Sequence, residues 1–221
     1  MPQSFFLEKY TIALKKSFFY RGKMSFVRLT NIHKENNKIL FVFCYSHDLQ
    51  KYFTDQSFIV EYSEDISAVP DAVCAIPFVC SVLPIIWLTD STLELAELDQ
   101  DFYDSIPEFK KGYIQMFPDV DFLGRLSVNK VIDCNRSELH GAVVFFSGGL
   151  DATTTLFRHM MEKPDLLSIW GADIAFDNEK GWNVLKTALS EAAQFYKLKH
   201  IVVHSSFRCF DREDNLGNAF S

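Results

Sequence analysis

The residues best suited to chemistry lie in one short segment, Phe146 to Leu156, which reads FSGGLDATTTL. Gly148 and Gly149 allow the backbone to turn tightly and to approach a ligand without interference from a Cβ atom. Where a helix begins at such a turn, several N–H groups and the positive end of the helix dipole point at one spot. That arrangement suits a phosphate group, so the segment is a candidate anion-binding loop.

Polar side chains surround the two glycines. Ser147, Thr153 and Thr154 can each add a hydroxyl donor to the same spot. Asp151 stands where a carboxylate could hold Mg²⁺ between phosphate oxygens. Leu150 lies in the loop between Gly149 and Asp151. An ordinary Gly-Gly turn with a helix cap is the alternative interpretation of these residues.

Residue types exclude three other glycine-rich loops at this place. A Walker A loop needs lysine after glycine, and the segment has no lysine. A dinucleotide fingerprint needs GxGxxG, which the chain does not contain. A nucleophile elbow needs glycine two residues before its serine, where this chain has Phe145.

The elements around the loop alternate between strand and helix. The apolar run Ala142 to Phe146 predicts a strand buried on both faces, with a helix from the loop to about Met161. The pattern then predicts a strand at Asp165 to Trp170, a helix at Asn178 to Tyr196 and a strand at His200 to His204. This β-α-β-α-β order is typical of half of a doubly wound parallel sheet. Such a half-sheet leaves apolar surface uncovered, so the chain is a fragment, or another chain or its own N-terminal half completes the sheet.

The first half of the chain predicts a mixed α+β region. Three apolar runs predict strands joined by polar segments such as Asn31 to Asn37: Ser25 to Thr30, Lys38 to Tyr45 and Phe58 to Tyr62. Val69 to Leu88 predicts a buried helical region rather than a membrane span, because Asp71 and three prolines interrupt it. Asp101 to Met116 predicts an amphipathic helix interrupted at Pro107. We therefore predict two domains, 1–136 and 137–221.

Composition and charge exclude several functional classes. The chain has 221 residues, is 48% hydrophobic, and its net charge of −7 disfavours duplex nucleic acid as a partner. Five cysteines without a CxxC pair disfavour a disulfide framework or a zinc site. The lysines of the first segment follow its apolar residues, which is the wrong order for a secretory signal. We therefore predict a cytoplasmic protein with no membrane segment.

Several other residues carry weaker indications. His200 and His204 resemble a metal pair, but on a strand their side chains would stand about 13 Å apart. Asp173 and Asp177 are predicted in a solvated loop, with a substrate or Mg²⁺ role as the alternative. Arg208 could pair with a phosphate or carboxylate, or lie on the surface. The two cysteines nearest to these elements, Cys134 and Cys209, are expected to be ordinary thiols.

The loop resembles that of the N-type ATP pyrophosphatase (PP-loop) family, which reads SGGxDS. The extended form SGGLDATTTL is most similar to the 7-cyano-7-deazaguanine synthases of queuosine biosynthesis. The long preceding region, with its VPDAVCAIP and WLTD segments, resembles the synthase-like subgroup of anti-phage defence clusters, which has an extra N-terminal domain. The resemblance implies an adenine nucleotide alpha hydrolase-like fold for the C-terminal part.

The resemblance also implies a reaction and its cofactors. Such enzymes split ATP into AMP and pyrophosphate, activate a carboxylate or amide of an acceptor as its adenylate, and let a nitrogen nucleophile displace AMP. By this resemblance ATP and Mg²⁺ would be held by seven loop residues: Ser147, Gly148, Gly149, Leu150, Asp151, Thr153 and Thr154. Asp151 would hold the metal, and Asp151 and Ser147 would be the catalytic residues. Trp170 and Gly171 would lie near the adenine or the substrate. The acceptor would be a small molecule or a protein terminus, and the protein would be an oligomer.

Three departures from the family pattern keep alternatives open. Ala152 replaces the usual serine of the loop, and Trp170 to Ile174 replaces the synthases' Tyr-Gly-Gln-Arg-His. Their C-terminal zinc-binding cysteines have no counterpart before Ser221. The alternatives are a non-catalytic nucleotide-binding or partner-binding module, and a sulfur- or amide-transferring ligase with another acceptor.

Overall fold

A mixed sheet of eight strands organises the computed structural model, which describes residues 25–134 and 141–210. The class is α/β, as predicted. The order of strands across the sheet is β5-β4-β1-β2-β3-β8-β7-β6. In chain order the strands are β1 (Phe26–Glu35), β2 (Lys38–Tyr45), β3 (Phe58–Tyr62), β4 (Thr92–Asp99), β5 (Arg125–Ile132), β6 (Val143–Phe145), β7 (Asp165–Trp170) and β8 (His200–Ser205).

Six α-helices accompany the strands within the described residues, together with 3₁₀ turns at His47–Tyr52 and Met160–Glu162. The helices are α1 (Asp71–Cys74), α2 (Ile76–Leu88), α3 (Gln100–Met116), α4 (Leu150–His159), α5 (Glu179–Tyr196) and α6 (Phe207–Phe210). The side chain of Asp99 caps α3 by accepting a hydrogen bond from the N–H of Phe102 at 3.1 Å. The predicted interruption of this helix at Pro107 is wrong. Pro107 lies inside a continuous helix, where packing of the helix outweighs one lost hydrogen bond.

The C-terminal part has the predicted β-α-β-α-β order. β6 pairs parallel with β7, and β7 pairs parallel with β8. The N-terminal strand β3 then pairs antiparallel with β8 through Val60–Ser205, Glu61–His204 and Tyr62–Val203. The N-terminal part of the chain therefore extends the parallel unit on the β8 side.

Two elements of the first half differ from the prediction. β4 and β5 were not predicted, although both alternate apolar and polar residues, and they pair parallel with each other. The polar segment Asn31 to Asn37 was predicted to connect two strands, but β1 continues to Glu35. The turn is confined to Asn36 and Asn37, with Asn36 at φ 52°. Polar residues persist in β1 because most of them are exposed to solvent, among them Asn31 and Glu35.

The larger core lies on one face of the N-terminal strands. Side chains alternate between the two faces of a strand, and the inward set of β2 is Ile39, Phe41 and Phe43. α2 packs on these residues through a row of buried side chains: Phe78, Val79, Val82, Leu83, Ile85, Ile86 and Trp87. The prediction of a buried helical region at Val69 to Leu88 is thus confirmed. Within the described residues no helix has the length and apolar character needed to cross a membrane.

A second, smaller core lies on the opposite face of the C-terminal strands. α4 and α5 pack there around Phe146, Leu156, Leu166, Leu189 and Ala193. Leu166 belongs to this core, whereas its neighbour Leu167 packs against the larger core, so the two cores occupy opposite faces.

β6 was predicted to be buried on both faces, and that prediction is wrong. Only Val144 is buried, while Val143 is 57% exposed and Phe145 is 69% exposed. The reason is the position of β6, because its one described pairing partner is β7 and no described helix covers its second face.

The segment after β8 ties the two parts of the chain together. The Ser206 hydroxyl donates to the carbonyl of Ser57 at 2.9 Å and accepts from the N–H of Ile59 at 2.9 Å. Phe210 is fully buried in the larger core, where its ring stacks on Phe58 at 4.5 Å between centroids. The predicted boundary near residue 137 lies outside the described residues, and the division into two domains stays a prediction.

Candidate functional site

The glycine-rich loop forms a turn between the end of β6 and the start of α4. Gly148 adopts φ 78°, a left-handed conformation that favours glycine. Gly149 is the N-cap residue of α4, and no side chain caps the helix there. The first N–H groups of a helix have no acceptor within the helix itself. The loop therefore presents uncapped donors at the positive end of α4.

The side chains of this loop differ in what they can offer a ligand. Ser147, Leu150 and Asp151 are exposed, and Leu150 has 83% of its surface in solvent. Asp151 lies in the first turn of α4. The Thr154 hydroxyl donates to the Leu150 carbonyl at 2.8 Å, so its proton is used within the helix. Thr153 is half-buried, and its N–H donates to the Gly149 carbonyl at 3.0 Å.

The residue before the loop is held at both of its backbone groups. The N–H of Phe146 donates to the Leu167 carbonyl at 2.7 Å. The Phe146 carbonyl accepts a hydrogen bond of 2.6 Å from the hydroxyl of Ser168, a buried side chain of β7. The Phe146 ring is itself 5% exposed in the smaller core. The loop thus starts from a fixed point on the sheet.

A cleft of about 670 Å³ opens at the carboxyl ends of β7 and β8, against β3. Ligands of parallel sheets bind at this end of the strands. Its lining residues come from the two parts of the chain: Lys38, Gln56, Ser57, Ile59, Glu61, Gly171, Ala172, Asp173, Ala175, Phe176, Asp177, His204, Ser206, Arg208 and Cys209.

Gly171 lets the chain leave β7 close to β8. It adopts φ 104°, and a Cβ atom there would lie 1.9 Å from the Ser205 carbonyl oxygen. Only glycine fits this position, because both the conformation and the approach exclude a side chain. The Gly171 N–H donates to the Ile174 carbonyl at 3.1 Å, which closes the loop that forms one wall of the cleft.

Stacked aromatic rings form that wall. The His204 ring lies 3.7 Å from the Trp170 ring and 4.2 Å from the Phe176 ring, measured between centroids. Trp170 also stacks on Trp182 at 5.7 Å and donates its indole N–H to the Ala175 carbonyl at 3.1 Å.

His204 combines burial with an unmet polar group. Its Nε2 atom is buried and has no hydrogen-bond partner among the described residues. Burial lowers the pKa of His204, and Glu61 and the Phe176 carbonyl oppose that shift in part. The ring is therefore favoured in its neutral form, and a buried nitrogen without a partner is costly unless a ligand or water satisfies it.

The floor of the cleft is a row of side chains across neighbouring strands. Lys38 pairs with Glu61 in the β2–β3 register, and Glu61 pairs with His204 in the β3–β8 register. Directly paired residues share a face of the sheet. The Lys38 ammonium lies 2.9 Å from the Glu61 carboxylate. Arg208 reaches the rim, where its guanidinium donates to the Ala172 carbonyl at 2.6 Å.

The structure separates the predicted site residues into two groups. Gly171 and the exposed loop residues Asp173 and Asp177 line the cleft, and Trp170 supports its wall. Ser147 to Thr154 do not line it. His200 and His204 lie on β8, as predicted for strand histidines. Among residues 25–134 and 141–210, no group of three or more His, Cys, Asp or Glu side chains is placed to hold a metal ion.

Sequence reasoning missed Lys38, Glu61 and Phe176 as cleft residues. Lys38 and Glu61 belong to strands far from the loop in sequence, and only the β3–β8 pairing brings them there. Phe176 follows Gly171 by five positions, so the predicted ligand role of the β7 end could have drawn attention to it.

Comparison with known proteins identifies no relative. No protein-family model, no curated protein and no solved structure matches this chain.

Proposed function

We propose that this protein is an ATP pyrophosphatase-type enzyme that binds ATP at the Ser147–Thr154 loop and splits it into AMP and pyrophosphate. The observation that supports this most directly is the left-handed turn at Gly148 in front of an uncapped helix. The resemblance of SGGLDATTTL to the PP-loop pattern of 7-cyano-7-deazaguanine synthases points the same way. The resemblance of the preceding region to the synthase-like proteins of anti-phage defence clusters suggests a role in phage defence. The C-terminal unit would then be half of a doubly wound, nucleotide-binding sheet.

The geometry of the loop supports phosphate as its ligand. Gly148 and the first turn of α4 supply N–H donors, and no side chain of the N-cap residue competes for them. The exposed Ser147 hydroxyl stands beside them and is close enough to Gly149 to accept its N–H at 3.5 Å. Catalysis in such a site consists of holding the phosphates in line and neutralising the charge that develops on them.

The residues present also fit a magnesium ion held together with the nucleotide. Mg²⁺ in phosphate sites commonly takes one or two carboxylates plus phosphate oxygens and water, so a single protein carboxylate suffices. Asp151 is exposed in the first turn of α4, beside the donors of the loop. Bound there, the ion would neutralise phosphate charge and stabilise the leaving pyrophosphate.

The cleft is the proposed site of the acceptor. It lies at the same ends of the strands as the loop, and the Phe176 ring in its wall offers stacking to a planar group. In the proposed reaction, an acceptor oxygen attacks the α-phosphorus of ATP and pyrophosphate leaves. A nitrogen nucleophile then displaces AMP from the activated acceptor.

The first experiment is incubation of the purified chain with Mg²⁺ and ATP labelled at the α-phosphate, with AMP resolved from ADP. The expected product is AMP. The variant Asp151→Asn should lose AMP formation, since it removes the carboxylate with little change in shape. Glu179→Gln is the matched control, because Glu179 is an exposed acidic residue in the first turn of α5. It should behave like the wild type.

Each other outcome has a definite meaning. ADP as the product would refute α–β cleavage. Bound ATP without turnover would favour the non-catalytic alternative, and absence of ATP binding would reduce the loop to a structural turn. A ligase that transfers sulfur or an amide would also form AMP, so acceptor screening must follow a positive result.

A second candidate function, a partner-binding module, is favoured by one specific observation. Val143 and Phe145 are 57% and 69% exposed on β6, the edge strand of the described sheet. An exposed apolar edge strand is a template for pairing with another chain. We therefore propose that a partner chain or a second copy completes the sheet at β6. Replacing both residues by Lys should dissociate such an oligomer in sedimentation experiments, and a monomeric wild type would refute the second copy.

A further inference from the structure

A chain of four hydrogen-bonding groups leads from the surface of α5 to the start of the glycine-rich loop. Ser190 of α5 lies 3.0 Å from Nδ1 of His200, and Nε2 of His200 lies 3.0 Å from the hydroxyl of Ser168. The Ser168 hydroxyl lies 2.6 Å from the Phe146 carbonyl oxygen. The chain therefore joins α5, β8 and β7 to the residue that precedes Ser147.

The direction of these bonds follows from the number of protons. A carbonyl oxygen only accepts, so the single hydroxyl proton of Ser168 must be donated to Phe146. The remaining contact of that hydroxyl can then only be as an acceptor. Nε2 of His200 must therefore carry a proton and donate it to Ser168. In the neutral ring, Nδ1 holds a lone pair and accepts from Ser190.

We propose that His200 is a positioning residue for the glycine-rich loop, because its Nε2–H orients the Ser168 hydroxyl that fixes the Phe146 carbonyl. A peptide fixed at this carbonyl sets where the Gly148 turn begins. The consequence for ATP rests on the proposed function, whereas the hydrogen-bond chain does not. Burial and the nearby charge of Lys186 lower the pKa of His200, which keeps the ring neutral and Ser190 the donor.

Ring-nitrogen NMR tests the direction of the bonds without any need for activity. In the full chain labelled with ¹⁵N-histidine, the His200 signals are identified by their loss in His200→Gln. The expected result at neutral pH is a protonated Nε2 and an unprotonated Nδ1. A ring protonated at Nδ1 alone would overturn the proposal, since Ser168 would then have to donate to His200 and release Phe146.

Hydrogen exchange of the Phe146 amide tests whether the chain holds the loop. His200→Leu and Ser168→Ala should each speed this exchange about fivefold, which is the effect of losing one hydrogen bond. The variant that carries both substitutions should exchange at nearly the same rate as either single variant, because the two residues act through the same hydrogen bond. His200→Gln should exchange like the wild type, because the Gln amide can donate from nearly the same place. Ser91→Ala is the control, since Ser91 is a buried, hydrogen-bonded serine of the N-terminal part.

The remaining outcomes separate positioning from general support of the fold. Equal acceleration along all of β7 and β8 would show a purely structural role and overturn the proposal, as would unchanged exchange in His200→Leu. Affinity for Mg²⁺–ATP should fall by the same factor in both variants and recover in His200→Gln. If the wild type binds no nucleotide, the proposed function fails, while the NMR and exchange results still decide the role of His200.

Discussion

The two parts of the sheet are built for different tasks. The strands of the N-terminal part carry a large aromatic core, in which Phe41, Phe43, Phe58 and Phe78 contact one another with centroids 4.9–6.3 Å apart. The C-terminal strands rest on a small core around Leu156 and leave Phe145 exposed. Aromatic rings bury large apolar areas and dominate core energetics. We infer that the N-terminal part supplies most of the stability, and that the C-terminal part carries the glycine-rich loop and the aromatic wall of the cleft.

The comparison explains why the cleft lies at the seam between the two parts. The ends of β7 and β8 contribute the turn at Gly171 and the half-buried His204, which a small core alone would hold poorly. β3 and the segment ending at Phe210 attach these ends to the larger core. Polar groups of the C-terminal part can thus remain exposed, because the larger core of the N-terminal part supplies the rigid support.

The largest expected effects come from two glycines with the same constraint, one in each part. A Cβ atom on Gly124 would lie 1.9 Å from the Ile86 carbonyl oxygen, and one on Gly171 would lie 1.9 Å from that of Ser205. Gly124→Ala and Gly171→Ala should each lower the free energy of unfolding by at least about 4 kcal/mol, because a backbone must move. In urea titrations, Gly124→Ala should weaken the whole fold. Gly171→Ala should open β7 and β8 first, as hydrogen exchange would detect.

Gly112→Ala is the control for that pair. Gly112 lies inside α3, and a Cβ atom added there would meet no described atom within 4 Å apart from the backbone of its own helix. Alanine there should raise the free energy of unfolding by about 1 kcal/mol through helix propensity. If Gly171→Ala were as stable as the wild type, the close approach of β7 and β8 at the cleft would be refuted.

Deletion of one buried side chain in each core should give the next largest effects. Phe78→Ala should lower the free energy of unfolding by about 4 kcal/mol, since the ring is fully buried among other rings. Leu156→Ala should cost about 2–3 kcal/mol, near the lower end for such changes, because the smaller core can relax. Urea unfolding measures both. A larger cost for Leu156→Ala would reverse the ranking of the two cores.

Acidification should act on the C-terminal part. Burial lowers the pKa of both His200 and His204 below their usual value of 6.5. Between that value and the lower pKa of the folded state, the unfolded chain binds more protons. Stability should therefore be complete above about pH 6.5 and fall as the pH drops below it. In His204→Phe the urea midpoint should fall less steeply with decreasing pH than in the wild type. The remaining fall should come from His200. A urea midpoint that rises on acidification would contradict the lowered pKa of these two histidines in the folded state.

The smallest effect is expected for the ion pair that joins the two parts at the surface. Lys199 lies 2.8 Å from Glu64, and both side chains are about half exposed. Exposed ion pairs contribute little to stability because water and salt screen them. Lys199→Met should leave the unfolding midpoint unchanged within error. The midpoint of Lys38→Met, which removes the ion pair with Glu61 at the cleft floor, is measured for comparison. A clear loss of stability in Lys199→Met would mean that this contact helps to hold the two parts together.

Local patterns predicted a large part of the fold. The strand, glycine turn and helix around Ser147 to Thr154 depend on neighbouring residues, and the structure has them where the pattern places them. The buried helical region ending at Leu88 is likewise readable from its apolar residues. Pro107 and the exposed face of β6 were mispredicted, since tertiary packing decides whether a helix tolerates proline and which strand lies at an edge.

The sequence by itself determined the chemical character of the loop, because glycine conformations, hydroxyls and a carboxylate act over a few neighbouring residues. Only the tertiary structure decided which strands meet. The pairing of β3 with β8 joins residues more than a hundred positions apart and so places Glu61 beside His204. Likewise, the alternation of β7 directs Ser168 toward both Phe146 and His200. Such contacts depend on the register of whole strands, which no local pattern encodes.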